Sequence, residues 1–275
     1  MRAYTTAHLP LDLPPGHPFP LYKYQGVAEA LKGLVELLPA PPLDREALAL
    51  AHEEAYLDRV FGEGLSRAES LRLGLPFTPL FLHRALHAAG GTVAAALDAL
   101  AGGLGLNLAG GTHHAYPDRA EGYSLFNDVA VAVAVLRQKG FQGRVLVVDL
   151  DAHQGNGTAV FFQRDPTVYT LSVHAERNYP LKKERSHLDL GLPDGVGDAA
   201  YLEALSRALE EAFRFRPELV FYNAGVDVLA NDRFGRLALS LEGVLRRDLL
   251  VLKKVQEVGA ALGVVMGGGD NRDPD

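Results

Sequence analysis

The 275-residue sequence contains no cysteine, no tryptophan and no isoleucine. Without cysteine the protein cannot form disulfides, thiolate zinc sites or cysteine nucleophiles. It has no run of about 18 apolar residues that would predict a membrane-spanning helix, and its first residues do not resemble a signal peptide. A net charge of −7 and the lack of basic runs argue against nucleic-acid binding. We therefore predict a cytoplasmic protein that binds neither membranes nor nucleic acid.

The hydrophobic fraction of 48% is large enough for a substantial core, and no linker or repeat divides the chain. Apolar patterns predict strands at 104–109, 145–150, 168–173, 219–224 and 263–266. They predict helices at 24–38, 45–61, 80–101, 124–139, 198–214 and 240–261. Strands that alternate with helices are typical of a mainly parallel sheet covered by helices on both faces. We predict one α/β domain over residues 1–275.

Residues 145–157 carry the strongest local signal, V-L-V-V-D-L-D-A-H-Q-G-N-G. The apolar run predicts a buried strand, and on an extended chain Asp149, Asp151 and His153 share one face. Burying two carboxylates beside an imidazole is costly without a positive partner. Because Asp oxygen and His nitrogen are both zinc ligands, the segment predicts a metal site. The alternative is a polar strand end whose acids cap the next helix.

Polar or glycine-rich residues also follow the other four predicted strands: Gly110-Gly-Thr-His-His114, His174, Gly225-Val-Asp227 and Gly267-Gly-Gly-Asp270. Ligands of open α/β sheets bind outside the carboxyl ends of the strands, so five such tails predict one shared pocket. Asp227 would complete a three-ligand set with Asp151 and His153, which leaves a position open for water as catalytic zinc requires. Taken alone, Asp227 would be interpreted as a helix cap or a turn residue.

The adjacent residues His113 and His114 follow two glycines that let the backbone approach the pocket closely. Neighbouring histidines can serve as a general base and an electrostatic partner, because imidazole titrates near neutral pH. The alternative is a pair with one buried and one solvated ring. Histidines without ligand spacing are given surface or core roles: His8, His52, His83, His87 and His187.

Taken together, these motifs resemble the zinc-dependent histone deacetylase superfamily, in particular its class IV-like or bacterial branch, which includes acetylpolyamine and acetoin-utilisation deacetylases. The resemblance spans nearly the whole chain in order. The matching pieces are His17-Pro-Phe19 with Tyr24, Gly110-Gly-Thr-His-His-Ala115, Gly122-Tyr-Ser-Leu-Phe-Asn-Asp128, Asp149-Leu-Asp-Ala-His-Gln-Gly-Asn-Gly157, Leu171-Ser-Val-His174, Asn223-Ala-Gly-Val-Asp227 and Gly267-Gly-Gly269.

The resemblance implies an arginase-like α/β fold and one catalytic zinc ion held by Asp151, His153 and Asp227. It also implies a structural potassium ion, held by Asp149 and Ser172 together with backbone oxygens. The implied reaction is hydrolysis of an acetylated or acylated amine. The zinc ion would provide the Lewis acid for that hydrolysis.

The same resemblance implies catalytic roles for the histidine pair. His114 would be the general base and His113 would stabilise charge beside it. Asp149 would orient His113, and Asn156 would lie behind His114, where many relatives carry Asp. The residues implied to line the substrate tunnel are Gly122, Tyr123, Tyr179 and Gly268.

Asp270 departs from the pattern. Relatives follow the glycine run with a Tyr that donates a hydrogen bond to the substrate carbonyl, whereas an ionised Asp only accepts hydrogen bonds. Loss of one such donor costs roughly 100- to 1,000-fold in rate, so we expect impaired turnover. Asp270 could instead bind zinc as a fourth ligand. In relatives, we expect a further closing helix beyond the position of Asp275.

Three functional interpretations follow. The first is a zinc-dependent deacylase impaired by Asp270. The second is a catalytically inactive protein that binds acylated ligands or partners. The third, an arginase-type ureohydrolase with two manganese ions, needs a further carboxylate two residues beyond His153, where this chain has Gly155.

Overall fold

The computed structural model describes residues 1–270, and within them the chain forms eight β-strands and nine α-helices. The strands are β1 (Arg2–Thr5), β2 (Glu36–Pro39), β3 (Leu104–Asn107), β4 (Val145–Asp149), β5 (Val168–Ala175), β6 (Leu188–Leu192), β7 (Leu219–Asn223) and β8 (Ala261–Val265). The helices are α1 (Tyr22–Ala30), α2 (Arg45–Ala49), α3 (Glu54–Phe61), α4 (Arg67–Leu73), α5 (Pro79–Gly102), α6 (Asp128–Gln138), α7 (Asn156–Phe162), α8 (Asp198–Ala212) and α9 (Leu241–Val258).

The strands form one sheet in the order β2-β1-β3-β8-β7-β4-β5-β6, and every neighbouring pair is parallel. The five strands predicted from the sequence are the five contiguous strands at its centre. The prediction missed β1, β2 and β6, which form the two edges. Central parallel strands are buried on both faces and are therefore continuously apolar, whereas edge strands lack that signal. The region of β2 was wrongly assigned to a helix over 24–38, which ends at Ala30.

The single helix predicted over 45–61 is wrong, because the structure forms two separate helices there, α2 and α3. Asp44 caps α2 by accepting a hydrogen bond from the backbone N–H of Ala47 at 2.8 Å. The chain then breaks, and the N–H of Glu53 donates to the carbonyl of Pro117. This long-range bond replaces a helical one and leaves no local sequence signal. The short helices α4 and α7 were not predicted.

Helices cover both faces of the sheet, as predicted. Val145 and Val147 of β4 pack into a cluster with residues of α3, α5 and α6. The alternate residues Leu146 and Val148 pack into a second cluster with residues of α8 and α9. The period-two alternation of a strand thus divides the core into two layers. No helix within residues 1–270 is both long and apolar enough to cross a membrane.

The carboxyl ends of three central strands are in register. Asp149 at the end of β4 lies opposite Asn223 at the end of β7, which in turn lies opposite Val265 of β8. The segments that follow these strands therefore leave the sheet side by side. This edge is where the predicted site residues meet.

Candidate active site

Three potential metal ligands converge at this edge. Asp151, His153 and Asp227 each offer a ligand atom, and these atoms lie within 4.8 Å of one another. Nδ1 of His153 is 3.1 Å from Oδ1 of Asp151 and 2.8 Å from Oδ2 of Asp227. The two carboxylates are almost fully buried, at 1% and 2% exposure. The donor set and its burial fit a divalent ion of the zinc type.

Backbone groups hold these carboxylates in place. The N–H of Ala152 donates to Oδ1 of Asp227 at 2.7 Å, and the N–H of His153 donates to Oδ1 of Asp151 at 3.0 Å. The N–H of Gly268 donates to Oδ2 of Asp151 at 2.8 Å. The β4 strand ends at Asp149, so a bend at residues 151–153, rather than the extended chain expected from the sequence, places Asp151 beside His153.

The electrostatics of this group reflect crowded buried charge. Burial and the carboxylate of Asp151 raise the pKa of Asp227 to about 7. Burial alone would lower the pKa of His153, but Asp151 and Asp227 outweigh it and raise that pKa to about 10. Both shifts show that two carboxylates share a site from which water is excluded. A divalent cation stabilises such a pair most effectively.

The histidine pair lies next to this group. The ring centroids of His113 and His114 are 4.1 Å apart, and both residues are buried. Nδ1 of His113 is 2.7 Å from Oδ2 of Asp149, as the resemblance implied. Burial would lower the pKa of His113, but Asp149 and Asp151 raise it to about 9. The carboxylate of Asp149 therefore favours the protonated form of His113.

The orientation of Asn156 fixes the tautomer of His114. The amide nitrogen of Asn156 donates to the hydroxyl of Tyr116 and to Oε1 of Glu121, each at 3.1 Å. Its Oδ1 therefore faces Nδ1 of His114, at 2.6 Å, and accepts the proton on that nitrogen. Nε2 of His114 is left as a proton acceptor. Burial, followed by the charges of His113 and His153, lowers the pKa of His114 well below its usual value.

The residues predicted to hold potassium are adjacent but have protein partners. Asp149 and Ser172 lie opposite each other in the β4–β5 register. Oδ1 of Asp149 accepts hydrogen bonds from the N–H of Asp151 and the amide nitrogen of Asn223. The Ser172 hydroxyl is 2.9 Å from Nδ1 of His174. The potassium site stays a prediction.

A cavity of about 470 Å³ opens onto the three potential metal ligands and the histidine pair. Tyr123 lines it and has a positive φ of 63°, and the T-shaped contact with Phe19 at 5.7 Å supports its ring. Tyr179 meets the ring of His114 edge-on at 5.0 Å, and its hydroxyl donates to Oε1 of Glu121. Gly122 and Gly268, the remaining predicted tunnel residues, also line this cavity.

Asp270 lines the cavity but is not part of the three-ligand group. Its N–H donates to Oδ2 of Asp232, and its carbonyl accepts from the N–H of Arg233. Burial and the charge of Asp232 raise the pKa of Asp270, and a hydrogen bond with Tyr22 acts in the opposite direction. The role of Asp270 as a fourth zinc ligand stays a prediction. The expected position of a closing helix lies outside the described residues.

Side-chain packing at Gly155 argues against a ureohydrolase-type ligand set. A Cβ at Gly155 would lie 2.3 Å from Oδ2 of Asp149, so a carboxylate residue there would displace the side chain that pairs with His113. The second metal of an arginase-type site would need one there.

Several residues at the site were not predicted from the sequence. Glu121 accepts hydrogen bonds from both Asn156 and Tyr179. Asn223 donates to Asp149, and its place in the Asn-Ala-Gly-Val-Asp motif was a usable signal. Arg247 of α9 is fully buried, and its guanidinium donates to the carbonyl of Gly225 at 2.6 Å. Because Arg247 lies far along the chain from every motif, no sequence signal indicated it.

The fold and the site define an α/β protein with a buried Asp-His-Asp group and a histidine pair at the carboxyl edge of a parallel sheet. Residues 17–273 match the model of the histone deacetylase domain. The chain belongs to the histone deacetylase family. This membership supports a deacetylase or amidohydrolase function and confirms the resemblance found in the sequence.

Individual relatives agree with this assignment. The chain is 43% identical over 263 residues to an uncharacterised protein of Picosynechococcus sp., covering 94% of this chain and 88% of that protein. It is 34% identical over 273 residues to histone deacetylase 2 of Arabidopsis thaliana, covering 92% of this chain and 69% of that protein. The crystal structure of an HDAC homologue complexed with SAHA superposes with a TM-score of 0.82 at 26% identity, covering 98% of this chain and 78% of that one.

Proposed function

We propose that this protein is a zinc-dependent deacylase that hydrolyses the amide bond of acetyl or acyl groups on lysine- or polyamine-type amines. The observation that carries the proposal is the buried group of Asp151, His153 and Asp227 beside His114 in a cavity of about 470 Å³. Family membership supports the same reaction class. The zinc ion, when bound, supplies a Lewis acid that polarises the amide carbonyl and lowers the pKa of water.

The protein's own residues divide the proton transfers. Nε2 of His114 takes a proton from the attacking water, because its Nδ1 is committed to Asn156. The protonated ring of His113, held by Asp149, stabilises the negative charge that develops on the substrate oxygen. The proton on His114 then passes to the leaving nitrogen. The products are a carboxylate and an amine.

The remaining predicted roles concern binding. Tyr123 and Tyr179 would form opposite walls for the extended stem of the amine, with the backbones of Gly122 and Gly268 beside it. Asp149 and Ser172 would hold a structural potassium ion beneath the site. Aromatic walls exclude water and bury the methylene groups of a lysine-type stem.

Asp270 is expected to lower turnover, because its carboxylate offers no hydrogen bond to a developing oxyanion when ionised. Burial and the charge of Asp232 raise the pKa of Asp270. The residue still lacks the phenolic hydroxyl with which a Tyr would donate a hydrogen bond. This residue favours a second candidate function, a catalytically inactive protein that uses the same cavity to bind acylated ligands or partners.

Two measurements test these functions together. Purified protein is assayed for zinc by elemental analysis and for hydrolysis of acetyl-lysine peptides and acetylpolyamines. The deacylase proposal expects about one zinc per chain and slow hydrolysis that is lost on His114→Ala. Protein without zinc, purified without chelator, contradicts it. Tight binding of acetyl-lysine peptides without turnover, even in Asp270→Tyr, supports the inactive binder.

A further inference from the structure

A buried guanidinium without a carboxylate partner lines the same cavity. Arg84 of α5 is 5% exposed, and no carboxylate within residues 1–270 forms an ion pair with it. Buried charges in proteins are normally paired, because an unpaired ion loses its hydration without compensation. An unpaired guanidinium on a residue that lines a cavity is therefore a candidate site for an anion.

Protein groups accept hydrogen bonds from only some of the N–H donors of this guanidinium. Nη1 of Arg84 donates to the backbone carbonyls of Thr6 and Leu9, at 2.8 and 2.7 Å. The guanidinium carbon Cζ of Arg84 lies 4.4 Å from the ring centroid of Tyr24. Nη2 is buried and has no hydrogen-bond partner among the described residues. The carbonyls of Thr6 and Leu9, together with the ring and the hydroxyl of Tyr24, thus fix the guanidinium, and Nη2 is the atom left without a partner.

Thr6 supplies a second free polar group in the same wall. It directly follows β1 and is fully buried, and its hydroxyl oxygen has no hydrogen-bond partner within residues 1–270. Both Thr6 and Arg84 line the cavity that reaches the metal ligands. A hydroxyl and a guanidinium edge together match the acceptors of a carboxylate.

The neighbouring charges favour an anion at this position. Lys23 also lines the cavity and donates to the carbonyl of Gly267 at 2.8 Å, and its ammonium lies 5.5 Å from the centroid of the Tyr24 ring. Two cations therefore flank Tyr24. Of the acidic residues that line the cavity, Asp151 and Asp227 belong to the three-ligand group, and Asp232 contacts Asp270, whose carboxyl also feels the charge of Lys23.

We propose that Arg84 and Thr6 bind a carboxylate at the far end of the acyl chain, so that the protein accepts dicarboxylic acyl groups such as succinyl or glutaryl on its amine substrate. This inference rests on the proposed deacylase function for the position of the amide. An acetyl group has no charged atom that could pair with Arg84. A small free carboxylic acid could bind Arg84 and Thr6 through the same contacts. The experiment distinguishes it from a carboxylate that is attached to the acyl chain of the substrate.

The test measures the affinity of two peptides by calorimetry. One carries glutaryl-lysine, and the other carries its neutral analogue, in which a primary amide replaces the terminal carboxylate. The wild-type protein should bind the glutaryl peptide about 10- to 100-fold more tightly, as expected for charge-assisted hydrogen bonds. Arg84→Met should abolish that preference and Thr6→Val should reduce it, while Arg84→Lys should retain part of it. Arg207→Met, at an exposed arginine of α8, should leave it unchanged.

Because Arg84 also holds the backbone at Thr6 and Leu9, each variant is first checked for folding by thermal denaturation. If Arg84→Met does not fold, the preference in Thr6→Val and Arg84→Lys decides the test. Equal affinity of the wild type for both peptides overturns the inference. If free glutarate binds in a way that depends on Arg84, while the two peptides bind equally, the site takes a free carboxylate. That result overturns the proposal that the carboxylate belongs to the acyl chain.

The proposed function and this inference can fail separately. Hydrolysis of acetyl-lysine without any preference for the glutaryl peptide leaves the deacylase intact and removes the carboxylate site. A preference that depends on Arg84, without hydrolysis of any acyl peptide, supports the carboxylate site and removes the deacylase.

Discussion

Nδ1 of His153 lies 2.8 Å from Oδ2 of Asp227, although 74 residues separate them in the chain. The contact exists because β4 and β7 are adjacent and in register, so the segments after them leave the sheet together. The parallel sheet therefore assembles the donor set, and no local motif could do so alone.

The donor set should retain zinc only when all three residues are present. Asp151→Ala or Asp227→Ala should lower the zinc content from about one ion per chain to near zero, because two ligands bind zinc weakly. Elemental analysis after gel filtration measures this directly. Asp194→Ala, at a surface carboxylate paired with Arg236, is the control and should keep its zinc. Unchanged zinc in the two ligand variants would place the metal elsewhere.

Asp270→Tyr should raise kcat/KM on an acetyl-lysine peptide by about tenfold or more, because a phenol can donate to the developing oxyanion. Asp270→Phe is the matched control, since it adds the ring without the hydroxyl. Equal gains in both variants would show that removal of the carboxylate, rather than the new donor, restores activity. No gain in either would contradict the role assigned to this position.

The partner of His114 should set the acid limb of the pH–rate profile. Asn156→Asp places an ionised carboxylate against Nδ1 and should raise the pKa of His114. A base must be neutral to accept a proton, so activity should then be lost at a higher pH than in the wild type. Asn231→Asp, which adds the same charge at an exposed site, should leave the profile in place. Coincident acid limbs in the wild type and Asn156→Asp would argue against His114 as the base.

Arg247→Met should weaken both the fold and the metal site. The buried guanidinium donates to the carbonyls of Leu150, Ala224 and Gly225, which adjoin the predicted ligands. Removing it leaves buried acceptors unsatisfied, which costs about 1 to 3 kcal/mol for each group.

Urea unfolding and competition with a zinc chelator measure the two effects of Arg247→Met. The neighbouring Arg246→Met, at an exposed position on the same helix, is the control. Equal stability and equal zinc retention in the two variants would contradict the positioning role of Arg247.

His52 should make stability fall as the solution becomes acidic. Burial lowers its pKa to about 4, and its Nε2 accepts a hydrogen bond from the N–H of Asn127. The unfolded chain, with a His pKa of about 6.5, binds the proton first, so this contribution is complete above that pH and is lost as pH falls towards 4. The loss at pH 4.5 is roughly 2 to 3 kcal/mol.

Urea unfolding at pH 7 and pH 4.5 tests the His52 prediction. His52→Gln should show a pH dependence that is smaller by that amount, whereas the exposed control His8→Gln should behave as the wild type. Equal pH dependence in all three proteins would exclude His52 as the source.

The sequence alone predicted the strands and helices whose residues are buried along most of their length. The five central strands and α5 carry long apolar patterns and were predicted nearly at their observed bounds. The edge strand β2 has the sequence Glu-Leu-Leu-Pro, which is as compatible with a helix end as with a strand. Its pairing with β1 decides the outcome, and a contact between distant segments leaves no local pattern.

The same distinction applies to the site. Residues within motifs, such as His113 and Asp151, were identified from the sequence, and the structure brings them together. Glu121 and Arg84 act through contacts with Asn156 and Thr6, more than 30 residues away in the chain, so their types alone carried no information. The predicted alternation of Asp149, Asp151 and His153 on one strand face was wrong, because β4 ends at Asp149.

The register between β4 and β7 also has a consequence during synthesis on the ribosome. Asp151 and His153 emerge well before Asp227, and β7 must then pair with β4 before the third donor reaches them. A nascent chain that has made only the first two donors holds metal weakly. If this group binds a metal ion, loading would therefore follow the pairing of β7 with β4, and a loaded metal would mark chains whose central sheet has formed.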